Sequence, residues 1–132
     1  MTENEPRASI LVVEDESLVR MMAVEMFEDA GFHVLEASSG EKALTMLAES
    51  GELSALFTDV NLANEMDGFY LARIVHDTHP DMQIIVVSGQ RVAATGDLPE
   101  GARFIGKPYD PDVVTATLNE MILLADHKAG PA

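Results

Sequence analysis

Polar residues that could bind a metal ion or a phosphoryl group follow several short apolar runs of this chain. If those runs are strands of one parallel sheet, their carboxyl ends meet at a single edge, and the polar side chains converge there. They would bring together three carboxylates, one hydroxyl and one ammonium. The residues are Glu14 and Asp15, Asp59 with Asn61 two residues on, Ser88, and Lys107 followed by Pro108.

This combination of groups indicates phosphoryl chemistry. Three carboxylates beside one ammonium cannot all stay ionised without more positive charge, which a divalent cation would supply. Oxygen ligands without a thiolate favour Mg²⁺ over zinc, and Mg²⁺ commonly binds one or two carboxylates together with phosphate oxygens. An aspartate can attack phosphorus to form an acyl phosphate. The metal and the ammonium would neutralise the phosphoryl oxygens, and Ser88 could donate a hydrogen bond to one of them.

The composition narrows the class of protein. The 132 residues suit one compact domain, and 47% hydrophobic residues with 23% charged residues is ordinary for a globular protein. The lack of cysteine excludes disulfide scaffolds and thiolate zinc sites. A net charge of -15 disfavours nucleic acid and anionic membranes as partners. No signal peptide or run of about twenty apolar residues is present, so we expect a cytoplasmic protein.

Apolar runs alternate with amphipathic segments along the chain. Runs without polar alternation are typical of strands buried on both faces, so the pattern predicts an α/β fold, a parallel sheet with helices on each side. About five helices are expected between and after the strands, including a weak short one over residues 90–95. The predicted strands are 10–13, 32–37, 53–58, 82–87 and 103–105.

Several residues predict where helices begin and end. Ser38 followed by Glu41 three residues later is typical of a capping box, and Asp110 before Pro111 is typical of an N-cap followed by a first-turn proline. Hydrophobic spacing predicts that the last helix ends at Ala125, with a frayed tail after it.

Five motifs, in this order and at these intervals, are specific as a set. They are Val13-Glu14-Asp15-Glu16, Phe57-Thr58-Asp59-Val60, Met66-Asp67-Gly68, Val87-Ser88-Gly89 and Gly106-Lys107-Pro108-Tyr109. Through these motifs the chain resembles the receiver domain of two-component response regulators, of the chemotaxis-regulator type, over about Ser9 to Ala125. The resemblance implies a flavodoxin-like doubly wound sheet in the order 2-1-3-4-5, forming one domain over residues 1–132 with flexible termini at 1–8 and 126–132.

The resemblance also implies roles for these residues. Asp59 would be the phosphoacceptor. Mg²⁺ would be held by Asp15, by Asp59, by the backbone carbonyl of Asn61, and by Glu14 through water. Lys107 would bind the phosphoryl group, with a cis bond to Pro108.

Two further residues would make a conformational switch. Ser88 and Phe104 would shift together on phosphorylation and alter the face formed by residues 90–95, the fifth strand and the last helix.

The partners implied by the resemblance are proteins. A sensor histidine kinase or a phosphotransfer protein would donate the phosphoryl group, and a downstream protein target would recognise the switched face. The activity would be self-modification by a monomer or weak homodimer, without turnover of a free substrate. We expect a stand-alone receiver, because Met1 precedes a polar segment and the stretch after Ala125 is too short for an effector domain. A receiver that belongs to a hybrid kinase is the alternative.

Two segments depart from the family pattern. Leu62-Ala63 stands where the family commonly has Met-Pro, and the loop to Gly68 is one residue longer. The stretch from Ser88 to Phe104 is short and contains Gly96, Pro99 and Gly101, so the fourth helix is expected to be short or a turn.

Three alternatives stay open at this point. A phosphate-independent scaffold with the same fold would bind partners whether or not Asp59 is modified. An aspartate-nucleophile phosphatase usually carries an Asp-x-Asp motif, whereas Asp59 is followed two residues later by Asn61. A flavin or nucleotide binder would need glycines after the first strand, where this chain has acids.

Overall fold

The computed structural model describes residues 8–51, 53–89 and 98–129. Five strands and four helices lie within these ranges. The strands are β1 (Ser9–Val13), β2 (His33–Ala37), β3 (Ala55–Asp59), β4 (Gln83–Ser88) and β5 (Arg103–Gly106). The helices are α1 (Ser17–Asp29), α2 (Gly40–Ser50), α3 (Gly68–Thr78) and α4 (Pro111–Ala129).

The five strands form one parallel sheet in the order β2-β1-β3-β4-β5, which confirms the predicted topology. The chain runs from β1 to β2 in one direction and then returns past β1 to β3. This reversal opens a crevice beyond the carboxyl ends of β1 and β3, the usual position of a site in such sheets. Glu14 follows β1, and Asp59 ends β3.

Two hydrophobic layers cover the sheet because alternate side chains of each strand point to opposite faces. On β1, Leu11 and Val13 pack in the layer that holds α2 and α3. Ile10 and Val12 pack in the layer that holds α1 and α4, which includes Phe27. The central strands therefore lack alternating polar residues because both of their faces are buried, as the sequence predicts. None of the helices in the described ranges is long and apolar enough to cross a membrane.

The helix starts agree with the sequence in one case and differ in another. Asp110 caps α4 as predicted, since its Oδ1 accepts a hydrogen bond of 2.9 Å from the backbone N–H of Asp112. The predicted capping box at Ser38 is wrong. Ser39 is the N-cap of α2, and its Oγ accepts a hydrogen bond of 3.1 Å from the N–H of Lys42. The register is one residue later because α2 begins at Gly40, so Glu41 is too close to the cap to complete the box.

At both ends of the chain, ordered structure extends further than the sequence predicts. The last helix continues past Ala125 to Ala129, so residues 126–129 belong to α4, not to a frayed tail. At the other end, Ala8 was expected in a flexible terminus, but its carbonyl accepts a hydrogen bond of 3.0 Å from the N–H of His33. The predicted short helix over residues 90–95 lies outside the described residues.

Gly68, the first residue of α3, allows the helix to approach the end of β3. A Cβ atom at this position would overlap the carbonyl oxygen of Asp59 and lie 2.9 Å from the Cα of Val60. Its N–H also donates a hydrogen bond of 2.8 Å to the carbonyl of Val60. The close approach of two backbone segments explains why no larger side chain fits here.

Gly68→Ala is therefore expected to lower the free energy of unfolding by about 2–3 kcal/mol, because backbone atoms must move apart. Urea denaturation of the two proteins measures the difference. Gly106→Ala is the matched control, since a Cβ there meets no atom within 4 Å. Equal losses of stability in the two variants would contradict the close-approach explanation.

Candidate functional site

Asp59 is a buried carboxylate whose two oxygens have different hydrogen-bond partners. Its side chain is 9% exposed at the carboxyl end of β3. Oδ2 lies 2.6 Å from the ammonium nitrogen of Lys107, and Oδ1 accepts a hydrogen bond of 3.1 Å from the backbone N–H of Asn61. The carboxylate is thus held in one orientation at the mouth of the crevice.

Lys107 reaches Asp59 from the far side of β4. Ser88 pairs with Gly106 in the β4–β5 register, and the N–H of Lys107 extends this pairing with a hydrogen bond of 2.9 Å to the carbonyl of Ser88. The Lys107–Pro108 peptide bond is cis, as expected. Burial by itself lowers the pKa of Lys107. The ion pair with Asp59 outweighs burial and raises that pKa above its usual value, so the ammonium stays charged.

Glu14 is the second buried carboxyl group of the site. Its backbone N–H donates to the carbonyl of Ala37 at 3.1 Å, and its Oε2 accepts from the N–H of Glu16 at 3.1 Å. Oε1 lies 3.7 Å from the Lys107 ammonium. Burial, and then the neighbouring carboxylate of Asp59, raise the pKa of Glu14 from 4.5 to about 7. One ammonium therefore compensates only part of the negative charge of this carboxyl pair.

Asp15 differs from the two buried acids because its side chain is exposed to solvent. Within the described residues, no group of three or more His, Cys, Asp and Glu side chains lies close enough to hold a metal ion. Of the three carboxylates predicted to converge, the structure thus buries Glu14 and Asp59 and leaves Asp15 exposed.

The two predicted switch residues lie on the adjacent strands β4 and β5. Ser88 is the last residue of β4 and is 2% exposed. Phe104, on β5, is half-buried and stacks on Phe69 of α3, with ring centres 6.4 Å apart and an interplanar angle of 20°. Because α3 begins directly after the loop that follows Asp59, this stack connects β5 with the segment next to the carboxylate.

Comparison with known proteins identifies this arrangement. The sequence model of the response regulator receiver domain family matches residues 10–119. The chain belongs to the response regulator receiver domain family. The response regulator receiver protein CpdR of Brucella abortus is 32% identical over 119 residues, which cover 88% of this chain and 98% of that protein.

A longer relative contains a similar receiver. The sensor kinase CckA of Brucella abortus is 40% identical over 119 residues, which cover 87% of this chain but only 12% of the kinase. The chain therefore spans a small part of that relative. Receivers of this family are signalling domains of two-component systems.

Solved structures agree with the fold of this receiver. A response regulator receiver protein from Sinorhizobium medicae superposes with a TM-score of 0.82 at 25% identity, covering 90% of this chain and 97% of that one. The receiver domain of the hybrid histidine kinase CckA gives a TM-score of 0.74 at 28% identity, covering 87% of this chain and 99% of that one.

Sequence reasoning did not identify Phe69 or Arg20, and it named Tyr109 only as part of a motif, without a role. Phe69 supports Phe104. Tyr109 packs its ring edgewise against Phe57, with centres 6.0 Å apart, and burial raises its pKa. Arg20 contacts the loop after β1. A signal existed for Arg20, which is the only Lys or Arg between Arg7 and Lys42.

The donor groups of this receiver fit Mg²⁺, the cation that the family generally uses. Glu14 and Asp59 are both buried, and the single ammonium of Lys107 leaves a negative charge that a divalent cation would compensate. The donors are oxygen atoms, which suit a hard cation.

The raised pKa of Glu14 predicts a pH-dependent stability in the metal-free protein. The folded state holds this proton more tightly than the unfolded state, so the stability contribution is full below pH 4.5 and is lost as the pH rises through about 7. Glu14→Gln stays neutral and keeps an oxygen for the N–H of Glu16. The free energy of unfolding of Glu14→Gln, relative to that of the wild type, is expected to rise by about 2 kcal/mol between pH 5 and pH 8.

Urea denaturation in the presence of EDTA at several pH values measures this effect. Glu25→Gln, at an exposed position of α1, is the matched control and should follow the wild type. Parallel pH profiles for Glu14→Gln and the wild type would show that the buried carboxyl pair does not carry the charge deficit described here.

Proposed function

We propose that this receiver accepts a phosphoryl group on Asp59 and passes the signal on through protein contacts. The observation that carries the proposal is the orientation of the Asp59 carboxylate by the Lys107 ammonium at 2.6 Å and the Asn61 N–H at 3.1 Å. A carboxylate held in this way at the open end of the sheet can attack phosphorus in line with a leaving group on the solvent side.

The donor is a phosphohistidine of a sensor histidine kinase or of a phosphotransfer protein. One oxygen of the Asp59 carboxylate forms a bond to phosphorus while the phosphorus–nitrogen bond of the donor breaks, and the electron pair returns to the imidazole ring. The product is an acyl phosphate on Asp59. Hydrolysis by water later breaks the bond between phosphorus and oxygen. The chain therefore modifies and restores itself and turns over no free substrate.

Lys107 and Ser88 take their roles from their positions next to Asp59. After transfer, the Lys107 ammonium pairs with the new phosphoryl oxygens, which carry the negative charge. Ser88 is buried at the end of the adjacent strand, and its hydroxyl donates a hydrogen bond to one of these oxygens. Because Ser88 pairs with Gly106, movement of Ser88 also moves β5 and shifts Phe104 relative to Phe69.

Mg²⁺ is the cofactor of the proposed reaction. Asp15, Asp59, the backbone carbonyl of Asn61 and, through water, Glu14 would hold it. The ion would neutralise charge on the carboxylates and on the phosphoryl group when bound. The residues from about 9 to 125 form the core of the receiver that carries out this chemistry, consistent with the family match over residues 10–119.

The exposed apolar surface of α1 supports a protein partner as donor. Leu18, Met21 and Met22 are 67%, 55% and 61% exposed, and they follow directly after the loop that carries Glu14. Clustered exposed apolar side chains are typical of interaction surfaces. A phosphodonor protein docked on this part of α1 would bring its phosphohistidine to the mouth of the crevice. The high net negative charge argues against a nucleic-acid partner.

The test is phosphorylation by a small acyl-phosphate donor with Mg²⁺, read by intact-protein mass. The wild type should gain the mass of one phosphoryl group in a base-labile form, and Asp59→Asn should gain none. Asp77→Asn, at an exposed position of α3, is the matched control and should react like the wild type. A wild type that binds Mg²⁺ and beryllofluoride, yet forms no adduct, would need a kinase donor. A wild type that neither forms the adduct nor binds beryllofluoride would favour a phosphate-independent scaffold.

Lys107→Met separates the role of the ammonium from that of the metal. Loss of a cation beside two carboxylates should leave Mg²⁺ affinity unchanged or higher. The rate of adduct formation should nevertheless fall by about 100-fold, because one of the charges that stabilise the transferring group is lost. Calorimetry and time-resolved intact mass measure the two quantities. Lys42→Met on α2 is the control, and an unchanged adduct rate in Lys107→Met would exclude the proposed role.

A further inference from the structure

Arg20, near the start of α1, joins the loop after β1 to the neighbouring strand β2. Its Nη1 donates a hydrogen bond of 2.9 Å to the backbone carbonyl of Glu14, and its Nε lies 2.8 Å from Oε1 of Glu36. The Arg20 side chain is only 20% exposed, whereas that of Glu36 is 53% exposed. The guanidinium is therefore packed over the loop and does not extend into solvent.

These contacts constrain the backbone on both sides of Glu14. The N–H of Glu14 donates to the carbonyl of Ala37 on β2, and the carbonyl of Glu14 accepts from Arg20. That carbonyl belongs to the peptide group whose nitrogen is that of Asp15. Because a peptide group is planar, a fixed carbonyl also fixes the direction in which the chain enters Asp15.

We propose that Arg20 is a positioning residue, which holds the loop of Glu14 and Asp15 in the conformation that binds the divalent cation. This inference rests on the proposed function only in assigning the cation to these acids. Arg20 does not contact the reacting groups. It acts through the backbone of Glu14, and through that peptide group on Asp15.

The charge of Arg20 and its positioning role predict opposite effects on cation binding. A positive charge beside acidic ligands repels a cation, so its removal should strengthen Mg²⁺ binding if charge is all that Arg20 contributes. If Arg20 holds the loop, its removal should weaken Mg²⁺ binding, because the acids must then be ordered at the moment of binding. The sign of the change decides between the two.

The shape of the arginine side chain also matters. Its planar guanidinium presents Nε and Nη1 in a fixed fork, which lets one side chain bond the Glu14 carbonyl and the Glu36 carboxylate together. A lysine has the same charge but a single nitrogen on a flexible stem. Arg20→Lys therefore keeps the electrostatic term while it loses the two-point attachment.

The experiment is titration calorimetry of Mg²⁺ into the phosphate-free protein. Arg20→Met should bind Mg²⁺ about 10-fold more weakly than the wild type, and Arg20→Lys should fall between them. Arg103→Met, which removes an exposed arginine from β5, is the control for net charge and should bind like the wild type or slightly more tightly. Equal or tighter binding by Arg20→Met would overturn the inference, as would a wild type that binds no Mg²⁺.

Melting curves in EDTA identify any variant that does not fold. If Arg20→Met is unfolded, Arg20→Lys decides, since unchanged Mg²⁺ affinity in a folded lysine variant would also overturn the inference. The adduct test on the wild type is separate. Adduct formation with full Mg²⁺ affinity in Arg20→Met would refute the positioning role alone. Weakened binding in Arg20→Met, with a wild type that neither forms the adduct nor binds beryllofluoride, would refute phosphoryl transfer alone.

Discussion

The ion pair between Asp59 and Lys107 is the interaction on which the rest of the site depends. It joins residues 48 positions apart, at the ends of β3 and β5, across the intervening strand β4. A carboxylate as buried as Asp59 needs a positive partner, because an unpaired charge in that position is costly. The parallel order of the strands supplies it, since carboxyl ends that meet at one edge bring a distant lysine within 2.6 Å.

The same burial leaves the site short of positive charge. The Lys107 ammonium lies 2.6 Å from Oδ2 of Asp59 but 3.7 Å from Oε1 of Glu14. Burial and the Asp59 carboxylate therefore raise the pKa of Glu14 to about 7 in the metal-free state. In the proposed function, a divalent cation and then a phosphoryl group would approach these carboxylates from the open side of the site and offset the uneven charge. Arg20 contacts the backbone carbonyl of Glu14 and the carboxylate of Glu36, and its proposed positioning role rests on these two contacts.

Features set by neighbours in the chain were predicted well, and features set by packing were not. Asp110 and Pro111 begin α4 as expected, because an N-cap and a first-turn proline act within a few residues. The start of α2 shifted from Ser38 to Ser39, since both serines can cap and the choice depends on where β2 delivers the chain. The stacking of Phe104 on Phe69 joins two elements far apart in sequence, and no local pattern indicates it.

The order of the residues predicted the parallel α/β class and the strand ends near which Asp59, Ser88 and Lys107 lie. Unbroken apolar runs and the polar residues after them are local patterns, which can be recognised in the sequence alone. Contacts between distant elements bury Glu14 and Asp59, leave Asp15 exposed, and bring Arg20 to the backbone carbonyl of Glu14. Those outcomes depend on the direction of each side chain and on contacts between strands, and residue order alone does not encode either directly.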